Sequence, residues 1–184
     1  MKILSKSEFL ANKNIYIKKI LSGEIFIYPT DTIYGMGCLA SNKKSVERIR
    51  EIKNRDTKPF SIISPLKKWI EENCLVDEES KKYLQKLPGK FTFILKLKNK
   101  KLSPNKNLET IGVRITKHWF SKVVEEIGSP IITTSANISG ENYMTSLENL
   151  NEKIKSEINF IIYEGELNNS PSEIFNLVTK EKIR

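Results

Sequence analysis

The chain has 184 residues, 39% of them hydrophobic and 29% charged, which fits one compact domain and excludes long disorder. Lysine and arginine number 31 against 22 aspartates and glutamates, a formal charge of +9; such an excess favours anionic partners (nucleotides, tRNA or an anionic membrane surface) or is a Lys-rich solubilising surface. Cys38 and Cys74 stand outside any CxxC spacing, which excludes a zinc site or disulfide framework built from them, and no run approaches the ~18–20 apolar residues of a membrane span.

The first ten residues carry Lys2, Lys6 and Glu8 and no run of signal-peptide length, so a cytoplasmic location is expected. Residues 8–21 place Phe9, Leu10, Ile17, Ile20 and Leu21 at helical spacing, and Gly23 closes that helix. A buried strand follows over 24–28, stopped by Pro29, and then a loop over 30–40. A helix over 42–54 can be capped by Ser41 or Asn42, with Val46, Ile49 and Ile52 inward. A short strand spans 60–64, helices span 66–73 and 77–87, and Pro88-Gly89 turns the chain into an alternating strand over 91–98. Residues 98–109 form a polar loop. A strand over 111–116, a helix over 119–127 ended by Gly128, and a strand over 130–134 follow. A helix near 147–155 and strands near 159–163 and 173–178 complete the pattern. Strands and helices alternate irregularly over one domain, 1–184, so the expected fold class is α/β, a twisted sheet of mixed parallel and antiparallel strands flanked by helices.

Some motifs are set aside. GMGCLA at 35–40 fits the G-x-G-x-x-G/A dinucleotide pattern, but residues 30–34 separate it from the strand. The acid that pattern needs further on would be Asp56, within a basic turn. The glycines read better as backbone freedom beside a ligand. There is no P-loop and no G-x-S-x-G. The single histidine, His118, has no spacing that would make it serve Ser135. Trp69 and Trp119 read as core or helix-face residues.

Four segments place polar residues where strands end, which is where ligands of open α/β sheets collect. YPTDTIYGMG at 28–37 offers Thr30 and Thr32 just past a buried strand. KNRDTKP at 53–59 gathers Lys53, Arg55 and Lys58 at a helix end and turn; the helix dipole accounts for Lys53, but not for the two cations beyond it. Three such charges would neutralise much of a triphosphate, arginine by bidentate contacts and lysine as a point charge. PGKFTFILK at 88–96 sets Thr92 and Lys96 on one strand face. IITTSANISG at 131–140 runs an apolar strand into hydroxyls, an amide and a glycine, with Ser135 and Asn137 as phosphate contacts.

Taken together, PTDTIYGMG, the K-x-R-x-x-K-P turn, PGKFTFIL, IGVRI, PIITTSANISG and the later SPSEIFNL resemble the YrdC family of threonylcarbamoyl-AMP synthases, here in a short single-domain bacterial form. The resemblance implies a twisted α/β fold with a large basic cavity. It implies an enzyme, a nucleotidyltransferase that makes threonylcarbamoyl-adenylate and pyrophosphate from ATP, L-threonine and bicarbonate. The product would serve tRNA modification, with tRNA and the proteins of the threonylcarbamoyl-transferase complex as partners and no membrane partner. Carried onto this chain, Lys53, Arg55 and Lys58 would be the catalytic cations, holding ATP phosphates and bicarbonate. Thr92, Ser135, Asn137 and Arg184 would join Arg55 and Lys58 at ATP. Thr32, Lys53, Lys96 and Thr133 would meet threonine or bicarbonate. Mg2+ would accompany ATP, held by its oxygens and water. The chain departs from the family pattern at Glu173, which stands where relatives carry a hydroxyl near ATP, and in a basic turn one residue short between Arg55 and Lys58. Two other readings stand beside this one: a non-catalytic RNA-binding module of the same fold, and a related enzyme making another carbamoyl-type adenylate.

Overall fold

The computed structural model describes residues 1–55, 57–105 and 108–184; Asp56 and two positions of the 98–109 loop lie outside the described residues. The strands are β1 (Lys2–Leu4), β2 (Phe26–Tyr28), β3 (Gly35–Gly37), β4 (Ser61–Ile63), β5 (Phe91–Lys96), β6 (Thr110–Arg114), β7 (Ile131–Ser135), β8 (Phe160–Ile162), β9 (Glu173–Asn176) and β10 (Glu181–Lys182). The helices are α1 (Lys6–Ala11), α2 (Lys13–Leu21), α3 (Lys43–Lys53), α4 (Lys67–Asn73), α5 (Glu78–Leu84), α6 (Phe120–Ile127) and α7 (Glu152–Glu157).

The strands form one ten-stranded sheet in the order β1-β8-β2-β3-β7-β4-β6-β5-β9-β10. Pairing is mixed, as the sequence predicts: β2–β8, β4–β6 and β5–β9 run parallel, whereas β2–β3, β3–β7, β4–β7 and β5–β6 run antiparallel. Successive strand residues supply opposite faces. Ile27 and Ile62 enter a core with Val46, Ile49 and Ile52 of α3, while Phe26, Tyr28 and Ile63 enter a second core with Phe9, Tyr16, Ile20 and Phe120. The second face is helix-covered at the β1–β8–β2 end. Towards β7, β4, β6 and β5 the same face turns polar.

Local chemistry sets the helix ends. Ser5 and Glu8 form a reciprocal capping box at the start of α1. Asn12 then ends α1 and begins α2, so the single helix expected over 8–21 is two short ones meeting at an angle-changing residue. Asn42 caps α3 by accepting from Ser45 N at 3.1 Å, and Asn54, left-handed at φ 50°, ends it.

Three strands escaped the sequence reading. β1 and β10 are short edge strands, and β3 is the GMG stretch itself. Neither Gly35 nor Gly37 has positive φ, so the backbone freedom expected of them is not what they supply. A Cβ on Gly37 would lie 2.1 Å from the Ile132 carbonyl, and one on Gly35 would lie 3.0 Å from the Tyr28 ring. Their use is close packing: Tyr28 lies across both and donates from its hydroxyl to Ile132 O at 3.1 Å. The helix expected near 147–155 begins later, at Glu152, capped by Asn151. Trp119 packs edge-on against Phe120 with centroids 5.7 Å apart, and Trp69 lies against the α3-side core.

Candidate functional site

Where helices leave the sheet face uncovered, a cavity of about 400 Å³ opens over β7, β4, β6 and β5. The strand register builds its floor: Ser61 is paired with both Thr133 and Gly112, and Thr92 with Ile174. Ser61, Thr92, Thr133 and Ser135 supply hydroxyls, and Arg55, Arg114 and Arg184 supply the charge. Among the described residues, no aspartate or glutamate side chain lines it. Three guanidiniums converging on one cavity favour a polyanion.

Two loops that the sequence kept far apart meet here. Lys53, at the end of α3, donates to Ser135 O and Asn137 O at 2.6 Å each and to Asn137 Oδ1 at 2.9 Å. In return, Ser139 N donates to Lys53 O at 2.9 Å. The Ser135 hydroxyl donates to Asn137 Oδ1 at 2.6 Å, and Asn137 Nδ2 donates to Glu141 O. Lys53 is 1% exposed. Burial, and after it the charge of Arg55, pushes its pKa down to about 7.

Arg55 comes from the turn after α3. Its Nε donates to Lys58 O at 3.0 Å, Nη2 to Pro59 O at 2.7 Å and Nη1 to Thr134 Oγ1 at 3.3 Å. Burial, then the neighbouring Arg50 charge, lowers its pKa; a guanidinium stays protonated regardless. At the other end, Thr92 and Ser172 share a hydroxyl hydrogen bond of 2.8 Å. Arg184 donates from Nε to Ser172 O at 3.0 Å, and its backbone is paired with Ile174. The last residue is therefore tied to the cavity wall rather than frayed.

Of the residues singled out from sequence, Thr30, Arg55, Thr92, Thr133, Ser135, Asn137 and Arg184 line this one cavity. Four others do not. Lys53 lies beneath it with its ammonium turned to main-chain oxygens. Thr32 is buried one layer down, accepting from Arg114 Nη2 at 3.2 Å. The Lys58 side chain is exposed, and what it gives the turn is its carbonyl. Lys96 sits at the far end of β5, half-exposed and 3.3 Å from Glu109. Four residues beyond Thr92 on an extended strand is about 13 Å, too far to share its ligand. Glu173 pairs with Lys182 at 2.6 Å on the surface, while its neighbours Ser172 and Ile174 face the cavity. The strand alternation turns its charge away from any phosphate.

Arg114 and Asp31 were not singled out from sequence. Arg114 Nη2 meets Asp31 Oδ1 at 3.0 Å in a pair with side chains only 8% and 6% exposed. Its Nε finds no acceptor among the described residues. A buried cation with a spare donor on a cavity wall suits a carboxylate or phosphate oxygen. The signal was available: an arginine inside the apolar strand IGVRI must be paired, and the partner lies in the PTDT loop.

A second cavity, about 530 Å³, opens beside Trp69 and Asn105. It is floored by Val46, Ile62 and Ile111 and edged by exposed lysines. Among the described residues it has no arginine and no row of strand-end hydroxyls, so the smaller cavity is the better polyanion site.

Known proteins resemble the chain over most of its length. The Sua5/YciO/YrdC family model, described as telomere recombination, matches residues 18–184. The threonylcarbamoyl-AMP synthase of Buchnera aphidicola subsp. Acyrthosiphon pisum is 30% identical over 170 residues, covering 88% of this chain and 96% of that protein. P. abyssi Sua5 in complex with L-threonine superposes with a TM-score of 0.83 at 26% identity; the match covers 96% of this chain but 54% of that one, so this chain spans about half of that Sua5. E. coli YciO superposes with a TM-score of 0.82 at 23% identity over 99% of this chain and 95% of that one, a likeness of fold.

Proposed function

The chain belongs to the Sua5/YciO/YrdC family, and from that premise we propose that it is a threonylcarbamoyl-AMP synthase, a nucleotidyltransferase acting on ATP, L-threonine and bicarbonate. The observation that carries the reading is that Arg55 and Ser135, 80 positions apart in sequence, line the same arginine-bearing cavity. One triphosphate can touch both.

In this reading the threonine amine attacks bicarbonate and loses water to give N-carboxythreonine. That new carboxylate attacks the α-phosphorus of ATP, the bond to the β-phosphate oxygen breaks, and pyrophosphate leaves. Charge develops on phosphate oxygens, so the protein's task is positioning and neutralisation rather than supplying a nucleophile. Arg55 and Arg184 would take phosphate oxygens from opposite ends of the cavity. Ser135 and Asn137 would add hydroxyl and amide contacts, with Thr92 beside Ser172. Arg114, backed by Asp31 and Thr32, would hold the amino-acid carboxylate, with Thr133 near its side chain. Lys53 would act through the 135–137 loop it holds. No group of three or more metal-ligating side chains exists among the described residues. A magnesium ion arriving with ATP would therefore be held by phosphate oxygens and water, shielding the triphosphate charge.

The product would be handed to the transferase proteins that modify tRNA, a reaction that would take place in the cytoplasm. No described helix is long and apolar enough to cross a membrane.

The test is direct. The protein is incubated with ATP, L-threonine and labelled bicarbonate, and pyrophosphate and labelled threonylcarbamoyl-adenylate are followed. The reading requires both, each dependent on threonine. Product formed without threonine would instead indicate another carbamoyl-type adenylate, and tRNA binding with no nucleotide chemistry would indicate an RNA-binding module.

A further inference from the structure

The turn that carries Arg55 is held from outside the cavity by two residues with no place in the proposed chemistry. Asn105 is 3% exposed. Its Oδ1 accepts from Phe60 N at 2.7 Å and its Nδ2 donates to Phe60 O at 2.9 Å, so one side-chain amide does for Phe60 what a neighbouring strand would do. The same Oδ1 accepts from Arg50 Nη2 at 2.9 Å. Arg50 then donates from Nη1 to Lys58 O at 3.1 Å and to Arg55 O at 3.4 Å. Lys58 O is also the acceptor for Arg55 Nε, at 3.0 Å. One carbonyl thus joins the two guanidiniums, and both lie over the Phe60 ring, at 4.4 Å for Arg50 and 5.1 Å for Arg55.

We propose that Arg50 and Asn105 are positioning residues that set the Arg55 guanidinium for the ATP phosphates, an inference that rests on the ATP reading of the cavity. Two like charges sharing one carbonyl and one ring repel each other, and Arg55 is held close to Arg50 only because the turn's oxygens and the Asn105 amide fix both forks. Three of the donors of Arg55 are spent on the turn and on Thr134, which leaves its remaining N–H groups with a fixed direction. An incoming phosphate meets a guanidinium that needs no reordering, and its negative charge relieves the Arg50–Arg55 repulsion. Fixing Phe60 at the mouth of β4 also fixes Ser61, the next residue, on the cavity floor. Threonine, held at Arg114 and Thr133, has no direct contact with this pin and meets it only through the Ser61–Thr133 strand pairing, so it should feel the pin far less than ATP does.

The test compares ATP and L-threonine affinities by titration calorimetry in the wild type, Arg50→Lys and Asn105→Leu, with the thermal midpoint recorded for each. Arg50→Lys keeps the charge but has no fork to reach Lys58 O and Asn105 together. It is expected to weaken ATP about tenfold and to leave threonine within about twofold. Asn105→Leu is expected to show the same pattern; should it fail to fold, Arg50→Lys decides alone, because Arg50 is only half-buried. ATP affinity within twofold of wild type in a folded Arg50→Lys protein would overturn the inference, as would equal losses of ATP and threonine, the mark of a merely structural pair. A wild-type protein that binds no ATP would instead bring down the reading of the cavity itself, and this inference with it.

Discussion

Lys53 Nζ donates to the carbonyl oxygen of Ser135 at 2.6 Å, joining the end of α3 to the end of β7 across 82 positions of sequence. Through this contact the basic turn and the hydroxyl-rich loop become two walls of one cavity. The ammonium is almost wholly enclosed and meets two further oxygens of Asn137.

Lys53→Met keeps the length and apolar stem of the side chain but leaves those oxygens short of a donor. A loss of about 2–4 kcal/mol in stability is expected, measured by urea unfolding. Activity should fall further than the folded fraction, because the 135–137 loop loses its anchor. A Lys53→Met protein with wild-type stability and turnover would remove the anchoring role.

Arg55→Ala tests the cation that reaches the cavity. Its contacts are to turn carbonyls, Thr134 and the edge of the core at the Phe60 ring, with no carboxylate pair to break, so the thermal midpoint should drop by only about 2–4 °C. Turnover should fall about 10²–10³-fold, as for loss of one charged contact to a developing transition state. Steady-state kinetics with ATP varied would check this; a fall confined to threonine KM would count against the assignment.

Asp31→Ala removes the partner of the buried Arg114 and leaves its charge uncompensated. Breaking such a pair costs about 3–5 kcal/mol. Restoring the balance with Asp31→Ala/Arg114→Met should recover stability but not threonine binding. Recovery of both would show that Arg114 only fills space.

His118 provides a pH signature. Its Nε2 lies 3.0 Å from Glu164 Oε2, yet burial outweighs the carboxylate and lowers its pKa below the usual histidine value. The unfolded chain therefore binds the proton first as pH falls, so acidification through the ordinary histidine pKa favours unfolding, and stability rises with pH across that window. Wild type should lose stability between about pH 6.5 and 5 more steeply than His118→Gln. Thermal melts over that range decide it: an equal or shallower wild-type slope would mean the carboxylate dominates.

Much of this arrangement was legible in the residues. The strands expected over 91–98, from alternation, and over 130–134 are found as Phe91–Lys96 and Ile131–Ser135, and the KNRDTKP and TTSAN stretches announced cations and hydroxyls at strand ends. What local pattern could not give was direction. Lys53 and Lys58 are both lysines of one short segment, but one is buried under the loop and the other is exposed, and only the packing of α3 on the sheet decides which. Lys96 shares the strand face of Thr92, as alternation predicts, but lies too far along it. β3 went unseen because Gly-Met-Gly has neither β-branching nor alternation; what calls for its glycines is the Tyr28 ring of the neighbouring strand β2, which lies across both. Asp31 and Arg114 are each ordinary in sequence and become a site only when β6 is laid against the loop after β2.

The most direct test of the central claim is a crystal structure with a non-hydrolysable ATP analogue and L-threonine. The account predicts phosphate oxygens between Arg55 and Ser135 and the amino-acid carboxylate against Arg114. Nucleotide bound instead beside Trp69 and Asn105, in the larger cavity across the sheet, would contradict it.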